Sequence, residues 1–317
     1  DHRDLHSFPT RRSSDLLVVS FAASLSIEYG NMPSSSFAYA CYGLLLSAGS
    51  TPDVATGVKF AQLSLQLLDK FAAKIAEPEV LLLAGLFLMH RTSPVRGTLP
   101  LLQAGYTSGL ETGNYEFVGY NAHSFCSNSF WCGEPLEALS AEARSYCHHL
   151  ELINQSTAAG YIQAIEQMVL NLLERSEDPT LLAGEVLQEA EAVPQWQNAN
   201  DLQALYIFHS YKLMLCFLFG EIEATRTHIA EGRKCFLAAT GMVNVPASHF
   251  YGALSAIAEI DTEPDADLEY RTERLDRVRD DLEILKHWAE HAPMNHQHKV
   301  DLRSEEHTSE LQSPDHL

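Results

Sequence analysis

A chain of 317 residues with 46% hydrophobic and 20% charged side chains can bury one long repeat array or two ordinary domains, so it is neither disordered nor low in complexity. Its 42 acidic residues against 21 basic ones give a formal charge of −21, which repels phosphate backbones and anionic bilayers and argues against nucleic acid as a partner and against membrane insertion. The longest apolar run, Val80–Met89, is too short to span a bilayer. The six cysteines (Cys41, Cys126, Cys132, Cys147, Cys216, Cys235) form no CxxC pair and sit in apolar helical patterns, as buried reduced thiols of a cytoplasmic protein do.

The two ends read as foreign to the rest. His6–Leu16 (HSFPTRRSSDL) and Arg303–Ser313 (RSEEHTSELQS) resemble translations of short-read sequencing adapters, one at each terminus. Residues 1–16 and 303–317 are therefore expected to be adapter-like artefact, and 17–302 to be a fragment of a helical-repeat domain. The first stretch is neutral and the last carries three net negative charges, which leaves −18 on 17–302. Two motif-like strings fall away with the first stretch. His2-Arg3-Asp4-Leu5 has Pro9 where a kinase catalytic loop needs Asn, and Arg11-Arg12 before an apolar run only imitates a twin-arginine signal.

Between the ends, the pattern is helix after helix, and nothing alternates with period two over a strand's length. The predicted helices are 17–29, 35–48, 53–75, 78–90, 96–112, 115–132, 135–153, 157–174, 180–192, 200–219, 221–239, 247–260 and 267–291. Breakers separate them, among them Gly30-Asn31, Ser93-Pro94, Gly113-Asn114, Asp178-Pro179 and Glu263-Pro264. The pair at 200–239 is the clearest. Asn200 or Asp201 can cap the first helix, which is apolar nearly all round and must be buried on several faces. Gly220 ends it, and the next helix is more polar, with Ile222, Ile229 and Phe236 at seven-residue steps. An inner helix paired with an outer one is the unit of a helical solenoid.

That phrase recurs. Ala38–Gly49, Asn121–Gly133 and Ile207–Gly220 each end an apolar helix on glycine, and the glycines lie 84 and 87 residues apart. Two hairpins of roughly 40 residues fit each interval, near the period of tetratricopeptide (TPR) repeats. The expected fold is all-α, a TPR-like α-solenoid of antiparallel helical hairpins. Within the helix 267–291, Leu268, Leu275, Val278, Leu282, Leu285 and Ala289 imitate a coiled-coil seam, but an outer repeat helix packed on its neighbour is the expected arrangement.

The search for chemistry finds no catalytic and no cofactor-binding residues. There is no GxxxxGK[ST] loop, GxSxG elbow or HExxH pair. Four histidines crowd near the end (His287, His291, His296, His298). His287 and His291 are four apart on one helix face and are the candidate metal ligands, although no cysteine or clear carboxylate partner is placed beside them. His148 and His149 point to different faces. Glu189/Glu191 and Asp280/Asp281/Glu283 read as charge runs on exposed faces.

Several phrases carry a family resemblance. They are Gly30-Asn31 with Ser35–Tyr42 (SSFAYACY), Gly109–Tyr120 (GLETGNYEFVGY), Val169–Leu173 (VLNLL), Leu215–Gly220 with Glu221 (LCFLFGE), His249-Phe250-Tyr251, and Lys286–Lys299 with its HAPMN string. They resemble the helical-repeat segment of very large bacterial and fungal hybrid signalling kinases. Those proteins carry a serine/threonine kinase domain, an AAA-type ATPase module, this helical region, a GAF domain and a sensor histidine kinase. The arrangement is also similar to the ATPase-plus-repeat core of the maltose-regulon activator class. The resemblance implies a non-catalytic regulatory scaffold whose partners are the flanking ATPase and sensor/kinase domains, with a protein or small-molecule regulator as a further partner. ATP and Mg would act in those parent domains, not in this fragment. The alternatives are a ligand-sensing repeat domain of an ATPase-type transcriptional activator and an all-α metal-binding enzyme.

Overall fold

A computed structural model describes residues 13–48, 52–263 and 265–301. The two adapter-like stretches thus lie outside the described residues, apart from the few that open the first helix, and so does Gly49. The helices are α1 (Ser13–Tyr29), α2 (Ser35–Ala48), α3 (Val54–Phe71), α4 (Glu77–Leu83), α5 (Leu99–Thr112), α6 (Tyr115–Trp131) and α7 (Leu136–Leu152). They continue with α8 (Ser156–Leu172), α9 (Glu189–Asn198), α10 (Leu202–Leu218), α11 (Ile222–Cys235), α12 (Asn244–Thr262) and α13 (Leu268–His291). A further helix, α14, runs over 293–301. No strand forms among the described residues, where a lone antiparallel bridge joins Ala183 to Gln188. No described helix is long and apolar enough to cross a membrane.

The helices pack in two series. Each of α2, α4, α6, α8 and α10 touches the next even-numbered helix, and the hairpin pairs α2/α3, α5/α6, α7/α8, α10/α11 and α12/α13 hang on that row. Burial follows the sequence pattern. In α10, which is apolar nearly all round, every residue from Gln203 to Phe208 and from Ser210 to Cys216 is buried, whereas α9 has no buried residue and α11 only Thr225, Gly232 and Cys235.

Helix starts are set by aspartate. Asp53, Asp201 and Asp267 each accept the backbone N–H three residues on, at 3.0, 3.0 and 2.8 Å, which satisfies a donor that the first turn leaves free. Three helix ends use a left-handed glycine, with φ of 74° at Gly113, 78° at Gly133 and 83° at Gly220.

Two expectations from the sequence need correction. The run expected as one helix over 78–90 is α-helical only to Leu83; over Ala84–Leu88 the winding loosens to i→i+5 bonds and then tightens over Met89–Arg91. Loosening frees carbonyls, and side chains take them: Asn128 Nδ2 donates to the Gly85 carbonyl at 3.3 Å and His90 Nε2 to that of Leu86 at 3.0 Å. The helix expected over 180–192 is absent from its first half and begins at Glu189. The buried Gln167 and Asn171 of α8 capture the intervening backbone. Gln167 Oε1 accepts the N–H groups of Val186 and Leu187 at 3.1 and 3.3 Å, and Asn171 Nδ2 donates to the carbonyls of Pro179 and Leu181 at 3.1 and 2.6 Å. Side chains that satisfy a loop's polar groups remove its reason to coil into a helix.

The helices are not joined to their sequence neighbours alone. Asn295 of α14 donates from Nδ2 to the carbonyls of His90 and Ser93 at 2.8 and 2.9 Å, and its Oδ1 accepts Val95 N–H at 3.2 Å. His90 Nε2 also lies 3.0 Å from the Gly241 carbonyl, and Trp288 of α13 stacks on His90 while the Arg91 guanidinium sits 3.9 Å over its ring.

The hairpin α10/α11 allows a paired test. A Cβ at Gly220 would meet nothing within 4 Å, so Gly220→Val should cost only its left-handed backbone, about 1–2 kcal/mol. A Cβ at the helical Gly232 would lie 3.6 Å from His209 Cβ, an ordinary contact, so Gly232→Ala should be neutral or stabilise by about 0.5–1 kcal/mol. Urea denaturation of the two variants checks both signs.

Candidate functional site

The densest set of ionisable side chains lies where α10, α11, α12 and α13 meet, around a pocket of about 50 Å³. His209 of α10 and His228 of α11 face each other with Nδ1 atoms 3.0 Å apart, so one ring donates its Nδ1–H and the other accepts. Burial pushes both imidazoles down, to about 4 for His209 and about 3 for His228, and both are therefore neutral at pH 7. On the other wall His249 of α12 donates from Nδ1 to Oδ1 of Asp281 on α13 at 2.7 Å. The nearby hydroxyls of Ser210 and Ser248 bond each other at 2.9 Å. The His249–Asp281 pair links α12 to α13, and the serine pair links α10 to α12. The pocket holds roughly one or two waters at about 30 Å³ each.

One layer further along α12, Glu259 is fully enclosed and receives three arginines. Nitrogens of Arg226, Arg274 and Arg277 lie 3.1, 2.9 and 3.5 Å from its Oε2. The Arg274 guanidinium lies 3.7 Å over the Tyr270 ring, and Arg226 donates to the Tyr270 hydroxyl at 2.8 Å. The cluster ties α11, α12 and α13 together.

The histidine pair singled out from sequence does come together. His287 and His291 share a face of α13, with ring centroids 5.4 Å apart, and His287 Nδ1 is 3.7 Å from Glu290 Oε2. Among the described residues, no group of three or more histidine, cysteine or acidic side chains is placed to hold a metal ion. His148 and His149 diverge, the latter bonding the Tyr106 hydroxyl through Nδ1 at 3.1 Å. Two members of the charge runs are not on exposed faces. Asp281 is buried against His249, and Glu189 accepts from the buried Lys212 at 3.0 Å. Both face a partner across a helix contact, which a charge run read on its own helix does not reveal.

The signal that sequence reasoning missed is symmetry about a turn. In an antiparallel hairpin, residues equally far from the turn lie opposite each other. His209 and His228 straddle the turn at Phe219-Gly220; His249 and Asp281, like Glu259 and Arg274, straddle the turn between α12 and α13.

Among curated proteins, a stretch of 158 residues, half of this chain, is 22% identical to "Hybrid signal transduction histidine kinase G" of Dictyostelium discoideum. The match spans 5% of that protein's length. No family model and no solved structure matches the chain. The chain is thus distantly similar to a signalling histidine kinase.

The neutral histidine pair makes stability depend on pH. Unfolded imidazole titrates near about 6.5. The folded values lie lower, so the unfolded chain takes up protons first; the contribution is complete above that value and is lost as pH falls through it towards about 4. Each histidine can remove up to about 1.4 kcal/mol per pH unit in that window. Urea midpoints at pH 7 and pH 5 should therefore diverge in the native chain, and diverge less in His209→Leu/His228→Leu.

Proposed function

We propose that residues 17–302 form a non-catalytic regulatory scaffold, a TPR-like α-solenoid, within a multidomain, ATPase-containing signalling kinase of the two-component phosphorelay type. The observation that carries this reading is the distant similarity to the hybrid histidine kinase. Two structural features support it. The even-numbered helices pack one on the next in a continuous row, as inner helices of a repeat array do. At the other end of the array, α1 leaves Leu17, Val18, Phe21 and Ile27 exposed, a surface of the kind that an adjoining hairpin covers.

In this role the scaffold holds the ATPase module against the sensor and kinase domains and biases their states when a partner binds. ATP and Mg are bound by those flanking domains. The work of this segment is to transmit position from hairpin to hairpin in the cytoplasm.

The unbroken reading frame of the parent transcript tests the assignment. Kinase and ATPase motifs are expected before residue 17, and a sensor histidine kinase after residue 302. A DNA-binding helix-turn-helix after residue 302 would replace the kinase reading with a transcriptional one. In parallel, purified 17–302 given labelled ATP and Mg²⁺ should neither hydrolyse it nor label itself; turnover would overturn the non-catalytic role.

A further inference from the structure

A cavity of about 320 Å³ lies between the Pro94–Arg96 turn, the C-terminal end of α6, the start of α12 and the helix α14. That volume equals roughly ten waters and falls at the lower edge of the range of small-molecule sites. Its walls are divided by chemistry. Pro94, Val95, Trp131, Val243, Ala247 and Met294 supply an apolar side that includes an indole and a thioether. Arg96, His298 and Lys299 supply a basic side, and among the described residues no acidic side chain lines the cavity.

The two fixed cations differ in what they have left to give. Arg96 is engaged by the Glu134 carboxylate and by the Cys132 carbonyl at 3.1 Å. Lys299 has only neutral partners among the described residues: its Nζ donates to the Asn295 carbonyl at 2.8 Å and lies 3.3 Å from His298 Nε2. Burial pushes this ammonium down to about 8, with no carboxylate opposing the shift. A desolvated cation without a counter-ion costs free energy that an incoming anion recovers. Two further residues of the wall hold ring nitrogens with no hydrogen-bond partner among the described residues, Nε1 of Trp131 and both nitrogens of His296.

We propose that this cavity binds one small organic monoanion, an aromatic carboxylate, with the carboxylate on Lys299 and the ring against Trp131 and Met294. One uncompensated ammonium matches one negative charge; a phosphate dianion would leave a charge unpaired in the same enclosure. A flat apolar body fits the indole and thioether side, where ring and sulfur contacts add to burial. The assignment is independent of the kinase reading, since it uses only the walls of the cavity.

Benzoate and its neutral isostere benzamide separate charge from shape. Calorimetry on the full chain should show saturable one-to-one binding of benzoate, with quenching of indole fluorescence that is lost in Trp131→Phe. Benzamide should bind at least about tenfold more weakly, the usual scale for losing a charged hydrogen bond. Lys299→Met keeps the aliphatic stem and should weaken benzoate by a similar factor with the thermal midpoint unchanged, while Lys299→Arg should retain binding. Absence of saturable benzoate binding, equal affinity for benzamide, or undiminished binding by a folded Lys299→Met protein would overturn the proposal. Tighter binding of phenyl phosphate than of benzoate would overturn the monoanion assignment.

Discussion

One side-chain amide ties the last described helix to the middle of the chain. Asn295 satisfies two carbonyls and one N–H of the 90–95 turn, about two hundred residues earlier in the chain. Such contacts join hairpins that lie far apart along the chain. The turn needs those bonds because the helix before it does not end cleanly. Loosening at Ala84–Leu88 and tightening at Met89–Arg91 leave backbone groups that no regular ladder satisfies. Asn128, His90 and Asn295 take them up from three directions, and the stacked Trp288 and Arg91 seal the join.

Elsewhere the helices are joined by buried polar pairs as much as by apolar area. The seam of α13 shows the consequence. Its buried residues are Arg274, Val278, Asp281, Leu285, Trp288 and Ala289, at steps of four, three, four, three and one, so two of six positions carry charge. Those charges meet Glu259 and His249 of α12. A seam so filled is bound to its own hairpin partner and has no apolar stripe left for a coiled coil. Leu268, which opens the apparent heptad pattern, is 80% exposed. Buried ion pairs add less net stability than apolar packing of the same volume, yet removing one partner strands a charge, so they specify register more than they strengthen the fold.

The helical class, most element boundaries and the glycine stops were legible because each rests on local physics. Periodicity, an aspartate cap or a left-handed glycine needs no knowledge of distant residues. The failures share the opposite property. The backbone of 180–188 is held by Gln167 and Asn171, the loosened turn after α4 by Asn128 from α6, and the 90–95 turn by Asn295. Each is a bond across tens or hundreds of residues that no window on the sequence contains. Asp281 and Glu189 follow the same logic, since their burial is decided by the facing helix. The His287/His291 pair was legible as a pair because i,i+4 spacing is local, whereas a third ligand would have to arrive from elsewhere in the fold. The histidines 209 and 228 were accessible in principle, by reflecting the sequence about the Leu218-Phe219 junction, and were missed because each was read on its own helix.

The cavity and the closure of the array share residues. Asn295, which binds the 90–95 turn, also lines the cavity, and its backbone carbonyl holds the Lys299 ammonium. Val95, whose N–H is bonded by Asn295, forms part of the apolar wall. A ligand that takes up the charge of Lys299 therefore acts on the same short segment that joins the middle of the chain to its last helix. Binding to the closed form alone stabilises closure by RT ln(1 + [L]/Kd), about 2.7 kcal/mol at a hundredfold excess over Kd. That is comparable to the few hydrogen bonds that Asn295 contributes, each worth about 1 kcal/mol net. Beside the His90–Gly241 bond and the Trp288 stack, this is thus a place where occupancy by a small anion can change the coupling between distant hairpins.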